Sequence, residues 1–165
     1  MIKSLEEKYL PDVAIAHLLA WQKAYKGILS DDLLFSLDQH EFSRIWKQTI
    51  QNEKRKNYIA LDDKGIAIGF VSFGSAKEND QSAEIIGIYV HPNHWDEGHG
   101  KALMQKAISE IKNSRRYSKI ILWVMTENDS ARQFYEKLGF KLDSQTRTSE
   151  RKGEQFKECR YSLDL

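Results

Sequence analysis

The stretch "IIGIYVHPNHWDEGHGKALMQKAISEI", residues 85–111, changes character at its middle. Its first part is rich in β-branched residues and reads as a strand stopped by Pro92. Its last part sets Leu103, Met104, Ala107, Ile108 and Ile111 on one helical face. Between them lies "WDEGHGK", residues 95–101. A glycine-bearing turn that opens a helix can bind an anion, because unpaired backbone N–H groups point outward there and the helix dipole adds partial positive charge. Gly98 and Gly100 would let a phosphate touch the backbone, and Lys101 adds a charge in the first turn. Asp96 and Glu97 oppose this: a carboxylate about 4 Å from a phosphate charge costs about 1 kcal/mol in a water-like dielectric and more in a drier site. Acids in a first turn also suit the helix dipole, so the expectation is that backbone N–H groups from Glu97 to Lys101 carry the anion while the acids face water.

Two better-known phosphate loops are excluded. A Walker A loop needs a glycine where Trp95 stands and a Ser or Thr where Ala102 stands. The dinucleotide fingerprint fails because Leu103 occupies its third glycine position. Alone, the remaining G-x-G fits a tight turn without ligand equally well.

Working outward, residues 1–7 offer a short first strand, and "LPDVAIAHLLAWQKAYKG", residues 10–27, a helix opened by Pro11 and Asp12 and closed by Gly27. Ser30 is an N-cap for one or two short helices across residues 30–51. "NYIALDD" and "IAIGFVSFGSA", residues 57–63 and 66–76, read as strands of a hairpin turned at Gly65. Gly87 is unusual inside a strand and marks a bulge or a close backbone approach. "KIILWVMTE", residues 119–127, is apolar enough to be covered on both faces. "NDSARQFYEKLGF", residues 128–140, is a helix capped by Asn128, with Ala131, Phe134, Tyr135 and Leu138 inward and Gly139 at its end. The last residues form a hairpin around "RKGE", residues 151–154. A hairpin-rich start joined to strand–helix–strand–helix implies an α/β (α+β) fold, a mixed sheet with helices on both faces.

The bulk numbers agree with one domain spanning residues 1–165, of 41% apolar and 30% charged residues with a net charge of +1. No basic excess points to nucleic acid, and no run is long and apolar enough for a membrane. No apolar leader opens the chain and the single cysteine, Cys159, forms no internal disulfide, so a cytoplasmic location is expected. Cys159 itself reads as an ordinary residue of a late strand.

Two motifs together give the turn its meaning. Trp95, Asp96, Glu97, Gly98, His99 and Gly100 match Q/R-x-x-G-x-G/A after a strand ending "IYVHP", and the helix at residues 128–140 matches N-x-x-A-x-x-F-Y-x-x-x-G-F through Asn128, Ala131, Phe134, Tyr135, Gly139 and Phe140. In this order and separation the chain resembles the GCN5-related N-acetyltransferase (GNAT) superfamily, in element order over nearly its whole length. The departures are Trp95 in place of Gln or Arg, and the two acids after it. The resemblance implies a central sheet of about six or seven strands with the fourth and fifth splayed apart. It implies acetyl-CoA as cosubstrate, its diphosphate on the turn from Trp95 through Lys101. Its pantetheine arm would run along Ile88, Tyr89 and Val90 beyond a bulge at Gly87, with Asn128, Ala131 and Tyr135 completing the site.

Acetyl transfer to an amine needs a base, oxyanion donors and an acid for the leaving thiolate. The resemblance makes Tyr135 the acid, since a phenol is protonated at neutral pH. It offers Glu84, whose spacing to the turn resembles that of the glutamate of histone-type members, as base; the alternatives are a solvent-facing strand acid, or His91, His94 or His99. A backbone N–H near Tyr89 or Val90 would hold the oxyanion. No metal is expected, because a strand end, Pro92 and the glycine turn separate the three histidines. With no well-placed Cys or Ser nucleophile, transfer is expected to be direct. The acceptor is expected to be an amine, on a small molecule or a peptide or protein, walled by residues 20–37; Trp21, Tyr25, Phe35 and, further on, Trp46 could shape a pocket and Asp31 and Asp32 attract a cation. Each of these also has a purely structural reading. Neither nucleic acid nor membrane is expected as partner; the family also admits a homodimer. The rival readings are a non-catalytic acyl-CoA-binding or sensor domain and an interaction module without CoA.

Overall fold

The computed structural model describes residues 1–79 and 81–165. Seven strands form one sheet, β1 (Ile2–Ser4), β2 (Arg55–Leu61), β3 (Ala67–Ser75), β4 (Ser82–Val90), β5 (Lys119–Met125), β6 (Lys141–Arg151) and β7 (Glu154–Asp164), in the order β1-β2-β3-β4-β5-β7-β6. Every neighbouring pair is antiparallel except β4–β5. The final hairpin turns at Lys152 and Gly153, both at positive φ, and inserts β7 between β5 and β6.

Five α-helices cover the two faces: α1 (Leu10–Ala24), α2 (Asp31–Ser36), α3 (Gln39–Ile50), α4 (His99–Ser114) and α5 (Asp129–Lys137). Leu103, Met104, Ala107 and Ile111 of α4 are buried with Ile85, Ile120, Leu122 and Tyr135 on one face. Val13 and Ala14 of α1 and Phe42 and Trp46 of α3 are buried with Ile59, Phe70 and Met125 on the other. The start signals read in the sequence are used: Ser30 Oγ accepts the Leu33 N–H at 3.2 Å, and Asn128 Oδ1 accepts that of Ala131 at 3.2 Å. Asp38 adds a cap the sequence reading omitted, accepting from the Glu41 N–H at 2.9 Å, so α2 and α3 are separate helices.

The feature that makes the site is a break in pairing. Ser72 pairs with Gly87 and Phe73 with Ile85, so Ile86 is an extra residue on β4, immediately before the predicted glycine. The β4–β5 ladder runs only from Ser82↔Lys119 to Ile85↔Leu122. Beyond the bulge the two parallel strands separate. No helix among the described residues is long and apolar enough to cross a membrane.

Candidate active site

A cleft of about 620 Å³ opens where β4 leaves β5. It runs from the start of α4, past α5, to the inner wall of α1. Glu84, Ile88, Tyr89, Val90, Trp95, Asp96, Gly98, His99, Gly100, Lys101, Asn128, Ala131 and Tyr135 all line it. Of the residues singled out in the sequence as catalytic or cofactor-binding, Glu97 does not, nor does His91, one of the alternative bases.

The turn at one end is held by its own backbone. His91 Nδ1 accepts the Asn93 N–H at 3.1 Å, closing a single 3-10 turn over Pro92–His94. Trp95 Nε1 donates to the Val90 carbonyl at 2.7 Å, tying the loop to the end of β4. Asp96 (φ 64°) and Gly98 (φ 83°) then reverse the chain into α4. Left-handed backbone is strained for most side chains but accessible to Asp, and a side chain on Gly98 would carry that strain. The first helical bond is Ala102 N–H to the Gly98 carbonyl at 3.0 Å, so the N–H groups of His99, Gly100 and Lys101 have no intrahelical acceptor. The glycine rim is open: a Cβ on Gly98 would meet nothing within 4 Å.

The same two left-handed residues turn Glu97 away from the cleft. Its Oε2 lies 2.9 Å from His94 Nδ1 and 3.1 Å from His99 Nε2. The hydrogen bond to His94, helped by a weaker one to His99, holds this carboxyl below the usual carboxylate range against an opposing desolvation effect. Thus the three elements that seemed in sequence to keep the histidines apart bring two of them together around an acid.

Along β4 the open backbone can be assigned by alternation. His91 N–H donates to the Ile68 carbonyl at 2.7 Å, toward β3. Tyr89, two residues earlier, directs its N–H the same way, and those of Ile88 and Val90 point into the gap left by β5. Tyr135 on α5 is packed by the rings of Phe134, Phe140 and Tyr161, and burial pushes its phenol well above the ordinary value, with the neighbouring Tyr89 adding. Glu84 lies at the far side of the bulge, half-buried. Burial raises its carboxyl pKa; Arg147 opposes the rise and Glu78 adds to it.

The α1 end is aromatic. Tyr25 and Tyr89 share a hydroxyl hydrogen bond of 2.7 Å, and Trp21 packs edge-on to Tyr25. Behind them His17 sits among Phe42, Trp46, Phe70 and Tyr89 and accepts the Trp46 indole N–H at 3.2 Å. Burial, with a smaller effect from Arg151, lowers its pKa to about 3, so the imidazole is neutral. Trp21 and Tyr25 therefore wall the cleft as predicted, whereas Trp46 is core and Phe35 stands 83% exposed on α2. Asp31 and Asp32 lie in the first turn of α2, away from the cleft lining. The sequence reading missed Trp123, Arg147 and Glu158. Arg147 pairs with Glu158 at 2.5 Å and covers the Trp123 ring at 4.3 Å. Arg147 and Glu158 are cross-strand partners in the β6–β7 register, so fixing that register was the missing signal.

The model of the acetyltransferase (GNAT) family matches residues 17–140. An uncharacterized N-acetyltransferase of Bacillus subtilis is 30% identical over 123 residues, covering 73% of this chain and 69% of the relative. A probable N-acetyltransferase of Mycobacterium tuberculosis is 30% identical over 143 residues, 84% of this chain and 78% of its own. Among solved structures, PaiA N-acetyltransferase of Thermoplasma acidophilum in complex with coenzyme A shares the fold with a TM-score of 0.77 at 20% identity, covering 100% of this chain and 98% of that one.

Proposed function

The chain belongs to the acetyltransferase (GNAT) family, and from that premise we propose that it transfers an acetyl group from acetyl-CoA directly to a primary amine within a ternary complex. The observation that carries the proposal is convergence. The unpaired start of α4, the open edge of β4 and the hydroxyl-bearing Tyr135 share one cleft with a half-buried carboxylate, Glu84.

The residues fit acetyl-CoA. The N–H groups of His99, Gly100 and Lys101 suit a diphosphate, with the Lys101 charge in the same turn. The N–H group of Val90 is free to pair with an amide of a pantetheine arm, as an added strand would be. Bound there, acetyl-CoA supplies the activated acyl group. In the reaction, Glu84 takes the proton of the acceptor ammonium, directly or through water, and its raised pKa brings it nearer the pH at which a base works best. The Ile88 N–H, the gap-facing donor nearer the bulge and Glu84, would hold negative charge on the acyl oxygen. Tyr135 keeps its proton at Oη until the thiolate leaves, since burial favours the neutral phenol. Trp21, Tyr25 and Trp123 give the acceptor side apolar walls.

The test is calorimetric titration with acetyl-CoA together with thiol release across a panel of free amines and peptide N-termini. Binding with acetylation of at least one amine is expected. Binding without turnover on any amine selects the rival reading, an acyl-CoA-binding domain without catalysis. Absence of binding at millimolar ligand ends the proposal.

A further inference from the structure

We propose that His94, Glu97 and His99 form a binding site for a divalent transition-metal ion on the outer lip of the α4 turn. One ligand atom from each, His94 Nδ1, Glu97 Oε2 and His99 Nε2, lies within 4.8 Å of the others. The pairs that share the carboxylate oxygen stand at 2.9 and 3.1 Å. Ligands on tetrahedral zinc, with bonds of about 2.0–2.1 Å, sit roughly 3.3 Å apart. The two short pairs are within a few tenths of an ångström of that spacing. The imidazole pair closes by rotation of partly exposed rings. Two imidazoles and a carboxylate suit zinc, nickel, cobalt or ferrous ion and are a poor set for magnesium or calcium, which want oxygen.

Three features separate the site from a chance surface cluster. All three ligands come from six consecutive residues whose path is already bent into an arc by Asp96 and Gly98. The arc is fixed at its base by the Trp95–Val90 hydrogen bond and by the His91-capped turn, so little backbone order remains to be imposed. Both imidazoles engage the same oxygen of Glu97, so the three ligand atoms already converge, and the other carboxylate oxygen is left for water. The three side chains are 30%, 51% and 25% exposed, which gives an ion a way in and leaves open coordination positions.

The site also bears on the acids beside a phosphate turn. An ion held there turns the negative charge of Glu97 into a net positive one next to Gly98 and Gly100. Where acyl-CoA occupies the cleft as proposed above, a loaded site strengthens diphosphate binding, and by reciprocity CoA strengthens metal binding.

The experiment uses tag-free, chelator-treated protein titrated with Zn²⁺ against a chromophoric chelator, and with Co²⁺ read by absorption. The expected result is one ion per chain with a dissociation constant of roughly 10 µM or tighter. Glu97→Gln and His99→Ala should each weaken it by more than the ~10–100-fold that losing an outer partner of a metal ligand costs. His40→Ala, an exposed histidine on α3, should leave it unchanged. Thermal melts guard against misfolding. The apo variants should melt with the apo wild type, and only wild type and His40→Ala should gain stability on adding Zn²⁺. A stoichiometry other than one, or binding that survives both ligand substitutions, overturns the site. A second titration with CoA, with and without Zn²⁺, separates the two readings. Metal bound without any CoA binding removes the acyl-CoA reading and leaves the site. CoA bound without metal removes the site. Both bound with no mutual effect removes the link between them.

Discussion

At the α4 end of the cleft the groups proposed to bind are backbone: three N–H groups, a left-handed glycine and a strand edge. At the α1 end they are side chains: Trp21, Tyr25, Tyr89 and Trp123, with Glu84 and Arg147 beside them. The first end depends on φ and ψ more than on residue identity. It therefore accommodates Trp95, Asp96 and Glu97, provided that Asp96 can take φ 64° and Gly98 φ 83°. The second end has no such freedom, because each proton-handling group must sit at one position with one protonation state. The contrast has a kinetic form. Substitutions at the turn should act on acetyl-CoA affinity, and substitutions at the other end on turnover.

Tyr135→Phe is the strongest way to break that division. It removes one oxygen and keeps the packing against Phe134, Phe140 and Tyr161. If the phenol protonates the thiolate, kcat should fall by about 10²–10⁴-fold, the usual contribution of a positioned acid, with the acetyl-CoA dissociation constant nearly unchanged. Stopped-flow turnover beside calorimetry measures both. A turnover equal to wild type would remove Tyr135 from the mechanism.

Glu84→Gln should have the next largest effect, a fall in kcat of roughly 10²-fold near neutral pH. A base must be ionised, so activity should rise with pH through the Glu84 pKa, which burial has moved up. The Gln variant should lose that limb of the profile. If the limb persists, the base is another group or water.

How far each end could be read in advance follows from the same contrast. The turn was visible because a glycine pair, a strand before it and an amphipathic helix after it are local signals within residues 85–111. Gly87 likewise announced the bulge, although the extra residue proved to be Ile86. What was not visible depends on contacts far apart in the chain. Trp46 looked like a candidate pocket residue and is 2% exposed, its indole N–H spent on His17, 29 residues away. Arg147 and Glu158 reach the cleft only once β7 lies between β5 and β6. The Glu97 side chain was expected simply to face water, because the backbone reversal at Asp96 and Gly98 that aims it at His94 and His99 leaves no periodic trace.

His17 sharpens the picture of the aromatic wall. Its pKa is about 3 in the folded chain and about 6.5 in an unfolded one. Between those values the unfolded state binds the proton and the folded state does not, so stability rises with pH across that window and is lost as pH falls below about 6.5. The slope from this one group is at most about 1.4 kcal/mol per pH unit. Asn in place of His17 retains an oxygen for the Trp46 indole and cannot titrate. Its melting temperature should fall less steeply between pH 6.5 and pH 4 than that of wild type, which two parallel pH series of thermal melts would measure. Identical slopes would mean that His17 is not the group that titrates.

Trp95→Phe tests the turn with the smallest change. The ring still covers the lip of the cleft, and only the Nε1–H to the Val90 carbonyl is lost. A partly buried hydrogen bond contributes about 1 kcal/mol, so the acetyl-CoA dissociation constant should rise about fivefold as the loop loosens from β4. The Val90 carbonyl is left facing the gap, where a water can satisfy it, so the fold should stand. The turnover of the saturated enzyme should hold within about twofold, because the chemistry lies at the other end. If instead kcat falls and affinity stays, the indole sets the direction of the β4 edge as far as the Ile88 N–H. The backbone end would then take part in the transition state, and the division between the two ends would not hold.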